Sequence, residues 1–573
     1  MTGRGKFVVT LMILALVGFG TWKWWDKVAP KKPAFQAQTA APGPGSTPAA
    51  AKATPDKSAT AATAAATTAT TASPLLVEAE TEVPKLPPGS AYQPKDNVVE
   101  IELSEYAGYA GLIVANGGLE ASENSDFFKK NGFKVKISLS EEESWPALNT
   151  GKIAASATTV DVLAVYGRQF QVVVPAQIGF SRGADGVVVR RDIKRINNLK
   201  GRVLATAQFT EADFFIRYLA QEAGLGVRML SGLKDSPDPD RLNLVYCKDA
   251  FGAGDLFLKD IKDGGNALAG CVTWAPKTTE VAKQSDGQAN VLATSVNLLI
   301  IADILVVNKG FAQQNPDKVA ALVTGLLEGN RKVRDNQSAC LDVVAKAFKW
   351  DREKAKAELA KVHLSNLPEN QAFFSGSIDS AGSFGGIYQS AVMAYGKDLI
   401  KDPVDGDRFL EPKHLAAAEQ SGAFKEQKVA IAPIRLGGSA SPEDPLLSKD
   451  VRFLFEPNTF TLQINAKDNQ KNLEAIKLML QVSPGSTVLL RGHVDNGMVE
   501  EFRKQGGDVF VKKMALKAVE LSKNRAKEIK RLLIERYQLD AARIDTVGRG
   551  WDEPAGTDNE QNRRVEAQWF TVE

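Results

Sequence analysis

At 573 residues the chain is too long for one hydrophobic core, and its length points to roughly two to four domains. A hydrophobic fraction of 44% and a charged fraction of 24% are those of ordinary globular protein, so most of the chain should fold. A formal charge of +3 argues against a dedicated nucleic-acid binder. Three cysteines (Cys247, Cys271, Cys340) are too few and too scattered for a disulfide framework or a zinc site. A single Cys247–Cys271 bridge stays open for an oxidising compartment, against the plainer expectation of three buried thiols.

Arg4 and Lys6 precede an uncharged apolar run from Phe7 to Trp22, which Lys23, Trp24 and Trp25 follow. A run of about 16 to 19 residues is marginal but adequate for a spanning helix, and a Trp cluster suits a membrane interface. A cleavable signal peptide is the competing reading, but bulky Trp stands where a small-x-small site would end the run. Residues 1–27 are therefore predicted to be an uncleaved transmembrane anchor. Residues 28–95 are Ala, Thr, Pro and Ser with almost no aromatics, a composition that predicts a disordered linker. Its coil span would be on the order of 45 Å.

From about residue 98 strands and helices alternate, as "NVVEIELSEYAGYAGLIVANGGLEAS", "FKVKISLS", "SWPALNTGKI" and "FQVVVPAQI" illustrate. That alternation predicts an α/β domain with a mostly parallel sheet, turning helical over about 313–425. A Gly/Pro/Ser-rich boundary, "APIRLGGSASPEDPLLSKD", falls near 426–448. Beyond it, "VRFLFEPN", a helix around 467–482, "STVLLRGHVD", a long helical stretch, "RIDTVGRG" and "NRRVEAQWFTV" predict a separate α/β domain.

The ordered motifs "VRFLFEPN", "LLRGHVDNG", "LSKNRAKEIKRLL", "VGRGWDEP" and "NRRVEAQWF" resemble the OmpA-like peptidoglycan-binding domain. The resemblance implies that Asp495 and Arg525 hold the diaminopimelate of the cell-wall peptide. Diaminopimelate carries an ammonium and a carboxylate on one carbon, so a receptor needs an anion and a cation a few ångströms apart. Arginine's planar fork suits the carboxylate. Ser522 is expected to cap the helix, and Arg563 and Arg564 are further candidates for wall contacts. The sequence departs from the family pattern at Val494 and Ala518, where Thr and Asn are usual, and in a longer stretch over 497–516.

Residues 98 to about 425 resemble a type II periplasmic solute-binding protein of the sulfonate, taurine, nitrate or thiamine-precursor branches. The carriers are "YAGYAG", "LNTGKIAASATTVDVLA", "IGFSRGADGVVVRRDIKRINNLKGRVLAT", "WAP" and "ADILVVNKGFAQQNPDKVAALV". The resemblance implies two lobes joined by crossings near 182–190 and 300–308, with a ligand in the cleft between them. Loops feeding helix N-termini supply the candidates. Tyr106 and Tyr109 lie in the first loop, and Ser156, Thr158 and Thr159 precede the helix toward Leu163. Ser181 stands at the first crossing, and Thr206 and Thr210 precede "EADFFIRYL", where Thr210 and Asp213 are spaced as a capping box. Trp274 would offer a flat wall. The hydroxyls tilt toward an oxyanion or polar ligand, and Glu105 and Glu211 nearby argue the other way.

The predicted organisation is an α/β chain comprising a transmembrane helix (1–27), a linker (28–95), a two-lobed periplasmic-binding-protein fold (96–427), a second linker (428–448) and an OmpA-like α/β sandwich (449–573). No nucleophile elbow, phosphate loop, His-Glu-x-x-His motif or paired carboxylates stand out, so no enzyme, metal or cofactor is predicted. The order anchor, leash, wall binder resembles flagellar stator proteins, but the large inserted domain and the lack of an in-membrane Asp argue against force generation. The expectation is a bacterial inner-membrane protein with its bulk in the periplasm, gripping peptidoglycan and binding a small solute for uptake or sensing. An ABC permease or an envelope protein is the expected partner. The alternative is a scaffold whose binding domain mediates protein–protein contacts.

Overall fold

The computed structural model describes residues 75–140, 144–377, 382–432, 445–456, 459–483 and 485–571. The predicted anchor and the linker up to residue 74 lie outside the described residues. Among those described, no helix is long and apolar enough to cross a membrane.

Two sheets build the central domain. The first runs in the order Val362–Leu364, Val172–Ser181, Ala302–Asn308, Ala155–Thr159, Val98–Leu103, Lys134–Leu139. Val98–Leu103 is parallel to both neighbours, as the strand–helix alternation predicts, whereas Ala302–Asn308 is antiparallel to Ala155–Thr159 and to Val172–Ser181. All ten residues of Val172–Ser181 and all seven of Ala302–Asn308 are buried, which is why these strands read as nearly continuous apolar runs.

The second sheet has the order Leu76–Val77, Leu242–Cys247, Val203–Ala207, Gly270–Trp274, Asp185–Arg190, Ala289–Thr294, with Val227–Met229 also on Leu242–Cys247. Beyond an initial passage over 78–97, the chain passes between the sheets at two crossings, over 182–184 and 295–301. The second crossing thus precedes the predicted 300–308, because residues 302–308 are already strand. The crossings hold each other: the Ser181 and Ser295 hydroxyls lie 2.6 Å apart, and the Asp185 amide donates to both at 3.2 Å.

Residues 75–95, predicted as linker, are ordered along both lobes. Leu76–Val77 pairs antiparallel with Leu242–Cys247 of the second lobe. Leu86 N–H donates to Gln169 Oε1 at 2.9 Å, and Tyr92 N–H to Asn308 Oδ1 at 3.2 Å, both in the first lobe. The buried Tyr92 supplies the apolar anchor that the Ala/Thr-rich segment before it lacks. On another face the helix Phe384–Leu399 packs on Val160–Tyr166 of the first lobe and on Glu211–Glu222 of the second.

The C-terminal domain is a four-stranded sheet in the order Leu447–Val451, Val565–Phe570, Thr487–Gly492, Ile544–Gly548. Its first strand precedes the predicted "VRFLFEPN"; residues 452–456 only contribute a bridge, Phe455 to Leu462. The helix Val499–Tyr537 lies on the sheet, with non-helical backbone at Gly506 and Gly507, and Lys467–Val482 packs beside it. Gly492 permits the close approach: a Cβ there would stand 2.1 Å from the Ser522 carbonyl oxygen.

Candidate functional site

Between the lobes lies a narrow cleft, open at its mouth, with about 60 Å³ of free space inside. Tyr106 and Tyr109 reach it from the turn after Val98–Leu103, edge to face with ring centroids 5.1 Å apart. Ser156, Thr158 and Thr159 line it from the first lobe, and Trp274 closes it from the second. These six predicted residues come together because strand ends of both sheets converge on one gap.

Three other predicted residues stand outside the lining. The Ser181 hydroxyl is engaged with Ser295 at the crossing. Thr206 donates to the Val272 carbonyl at 3.5 Å, and Thr210 to the Ala207 carbonyl at 2.8 Å. The Thr210–Asp213 capping box is not formed either. Asp213 Oδ2 accepts from Phe209 N–H at 3.2 Å, and its other oxygen pairs with Arg217 at 2.7 Å. Glu105, near the first loop, accepts from the Trp350 indole N–H at 2.5 Å.

Registers place two carboxylates that the sequence pattern does not single out. Asp303 is paired across the sheet with Thr159, and Asp185 with Trp274, so both sit at cleft-facing strand ends. Each is 3% exposed. Glu102 and Glu211 complete an acidic lining. Burial pushes Asp185 up to about 6, against the pull of the Ser181 hydroxyl, and burial with the neighbouring Asp185 holds Asp303 well above the carboxylate range. Behind them, burial raises Asp161 to about 7. Several buried polar atoms of the lining have no hydrogen-bond partner: the Tyr106 hydroxyl, Thr158 Oγ1, Asp185 Oδ1 and Asp303 Oδ2. Buried groups of this kind need a partner, which water or a bound solute would supply.

The C-terminal domain carries a second concavity, an open basin of about 520 Å³. Asp495, Arg525, Arg563 and Arg564 all line it, with Phe455 and Met498. Arg563 Nε donates to Asp495 Oδ2 at 2.7 Å. Arg525 lies 4.9 Å over the Phe455 ring and donates to the Thr459 carbonyl at 3.1 Å. Burial and the neighbouring Arg563 press its protonation equilibrium down, while Asp495 pulls it up. Arg564 is held by Asp450 at 3.1 Å.

Ser522 has a different place from the one predicted. It sits inside the helix Val499–Tyr537, wholly buried, donating to Val519 O at 2.9 Å and accepting from Gly550 N–H at 3.0 Å. It caps nothing, because the helix starts 23 residues earlier, at Val499; it fastens the loop after Ile544–Gly548 to the helix.

Comparison with known families separates the same two domains. Residues 116–339 match the family described as NMT1/THI5 like, and residues 454–568 match the OmpA family. The chain carries an NMT1/THI5-like domain and a C-terminal OmpA family domain. Among solved structures it is similar to the ligand-binding component of an ABC-type import system from Staphylococcus aureus, at 15% identity over 56% of this chain and 98% of that one, TM-score 0.40. It is also similar to the periplasmic aliphatic sulphonate binding protein SsuA from Escherichia coli, at 14% identity, 61% and 99% coverage and TM-score 0.41. A third is the periplasmic nitrate-binding protein NrtA from Synechocystis PCC 6803, at 14% identity, 58% and 90% coverage and TM-score 0.37. No curated protein sequence matches the chain.

The NMT1/THI5-like and OmpA domains are packed on each other. Asn197 and Ser448 exchange two hydrogen bonds of 2.8 Å, and one apolar core runs from Leu298–Ile301 into Leu446, Val451 and Trp569. The predicted linker 428–448 is therefore bonded at both ends: Arg182 donates to the Ala432 carbonyl at 2.8 Å, and Ile196 N–H to the Leu446 carbonyl at 2.9 Å.

Proposed function

We propose that this chain is an envelope protein that binds a small solute in the interlobe cleft and attaches non-covalently to peptidoglycan through its OmpA domain. The observation that carries the wall reading is the Asp495–Arg563 pair, with Arg525 in the same basin. An acid and two guanidinium groups around one hollow match the paired ammonium and carboxylate of diaminopimelate. The solute reading rests on the unpartnered buried polar atoms of the cleft lining.

Residues 1–27 act in this proposal as an inner-membrane anchor that keeps the bulk of the chain in the periplasm, and an ABC permease would receive the solute. The chain serves binding rather than catalysis. Free diaminopimelate tests the wall half: millimolar ligand should raise the melting temperature of the full chain by mass action. An unchanged melting temperature at saturating diaminopimelate would remove the ligand assignment.

A further inference from the structure

We propose that the interlobe cleft takes a small organic cation, an amine or amidine on a flat and partly apolar body, and not the oxyanion that its hydroxyl-rich loops suggest. This rests on reading that cleft as a solute site. Carboxylates face it from both lobes: Glu102 and Asp303 from the first, Asp185 and Glu211 from the second. Among the described lining residues there is no Lys, Arg or His. An anion would find no cationic side chain to pair with here, whereas a cation draws Asp185 and Asp303 into their charged forms.

A cluster of acids alone is only a cluster. Here the lining also offers the Tyr106 hydroxyl and Thr158 Oγ1, on residues 8% and 4% exposed, with no protein partner for either atom. Both can accept from an N–H donor, as can Asp303 Oδ2 and Asp185 Oδ1, which are likewise unpartnered. The aromatic faces of Tyr106, Tyr109, Trp145 and Trp274 around the same gap suit a cation whose body is flat.

The charges behind the cleft leave Asp185 and Asp303 without a cationic partner. On the helix Glu211–Glu222, Arg217 is bound to Asp213. At the crossing, Arg182 Nε donates to the Val296 carbonyl at 2.5 Å. From Val160–Tyr166, Asp161 adds a further carboxyl, itself raised by burial to about 7. From the first-lobe turn the facing groups are the Tyr106 and Tyr109 phenols, Tyr109 donating to Asp303 Oδ1 at 3.5 Å. With no cation nearby, burial keeps protons on Asp185 up to about 6 and on Asp303 beyond the carboxylate range. A bound cation displaces them, so affinity should rise with pH between 5 and 8, by up to about tenfold per pH unit for each proton released.

The test is a melting-temperature and calorimetric screen of the full chain in detergent, using putrescine, agmatine and tyramine as cations and taurine, sulfate and nitrate as anions. The expected result is a rise of several degrees with at least one cation and none with any anion. Affinity should be at least tenfold stronger at pH 8 than at pH 5. Asp185→Asn and Asp303→Asn should lose the cation response while remaining folded, checked by an unreduced melting temperature without ligand. A response to anions alone would overturn the cation assignment and leave the solute reading standing. No response to any compound would overturn both.

Discussion

The backbone N–H of Leu299 donates to the carbonyl of Val482 at 2.8 Å. Leu299 lies in the second interlobe crossing, and Val482 ends the helix Lys467–Val482 of the OmpA domain. The segment along which the lobes would turn is thus bonded to the OmpA domain, and the Asn197–Ser448 exchange fixes a second point on the second lobe. Two domains sharing a core and such bonds should unfold together. Asn197→Ala leaves the Ser448 amide and carbonyl without their partner and should cost about 1–3 kcal/mol. Calorimetry should show one transition in the parent and a separated, earlier OmpA transition in the variant.

Arg217 and Asp213 are the best-sealed ion pair among the described residues, at 2.7 Å with side chains 5% and 0% exposed. Arg217 also donates to the Tyr246 hydroxyl at 2.7 Å and lies 5.3 Å over the Tyr395 ring of the helix that bridges the lobes. Arg217→Ala strands a buried carboxyl and should cost about 3–5 kcal/mol. Asp213→Asn with Arg217→Met should recover part of that loss. Denaturant midpoints of the single and double variants decide it.

The cleft acids act on stability in the opposite sense. Burial raises Asp161 to about 7 and Asp185 to about 6, above the ordinary 3.8, so the folded chain holds more protons than the unfolded chain between those values. Their contribution is therefore best below about pH 4 and falls as pH rises toward 6–7. Asp161→Asn should stabilise the ligand-free protein at pH 8 by at most about 4 kcal/mol, since each tenfold change in proton affinity corresponds to ~1.4 kcal/mol. At pH 4 it should have little effect. Equilibrium unfolding at the two pH values checks the sign.

Glu566 should behave the other way. Burial would raise it, but the His493 ring 3.7 Å away, the hydrogen bond from Gln568 and the charge of Arg491 outweigh burial and bring it down to about 2. A depressed acid supports the fold above its ordinary value of 4.5, and that support is lost as pH falls toward 2. Glu566→Gln should therefore flatten the acid limb of OmpA-domain unfolding, as followed by the fluorescence of the buried Trp569.

Cys247, Cys271 and Cys340 are buried free thiols, and the strand Val203–Ala207 separates the strands that carry the first two. Burial raises the Cys247 thiol up to about 12. None should react with Ellman's reagent before denaturation, and all three should react after it.

Much of the fold is legible in strand alternation and motif order, because buried strands such as Val172–Ser181 read as nearly continuous apolar runs. What is not legible has a physical reason. Asp303 stands inside "ADILVVN", where the apolar pattern hides a single acid; a carboxyl in a wholly buried strand is itself the signal. Asp185, in "GADGVVV", is masked by the glycines that flank it. Ser181, Thr206 and Ser522 show the converse: a hydroxyl near a helix or crossing is as readily used by the backbone as by a ligand. The strand Leu242–Cys247 hides behind the charged "KDSPDPDR" loop, and nothing local reveals that Leu76–Val77 pairs with it.

Cosedimentation of the full chain with purified diaminopimelate-type peptidoglycan tests the central claim most directly. The parent should pellet with the sacculi, whereas Asp495→Ala and Arg525→Ala should each stay in the supernatant with melting temperatures close to that of the parent. Parent-like pelleting of both variants would contradict the assignment of the Asp495–Arg563–Arg525 basin as the wall-binding site.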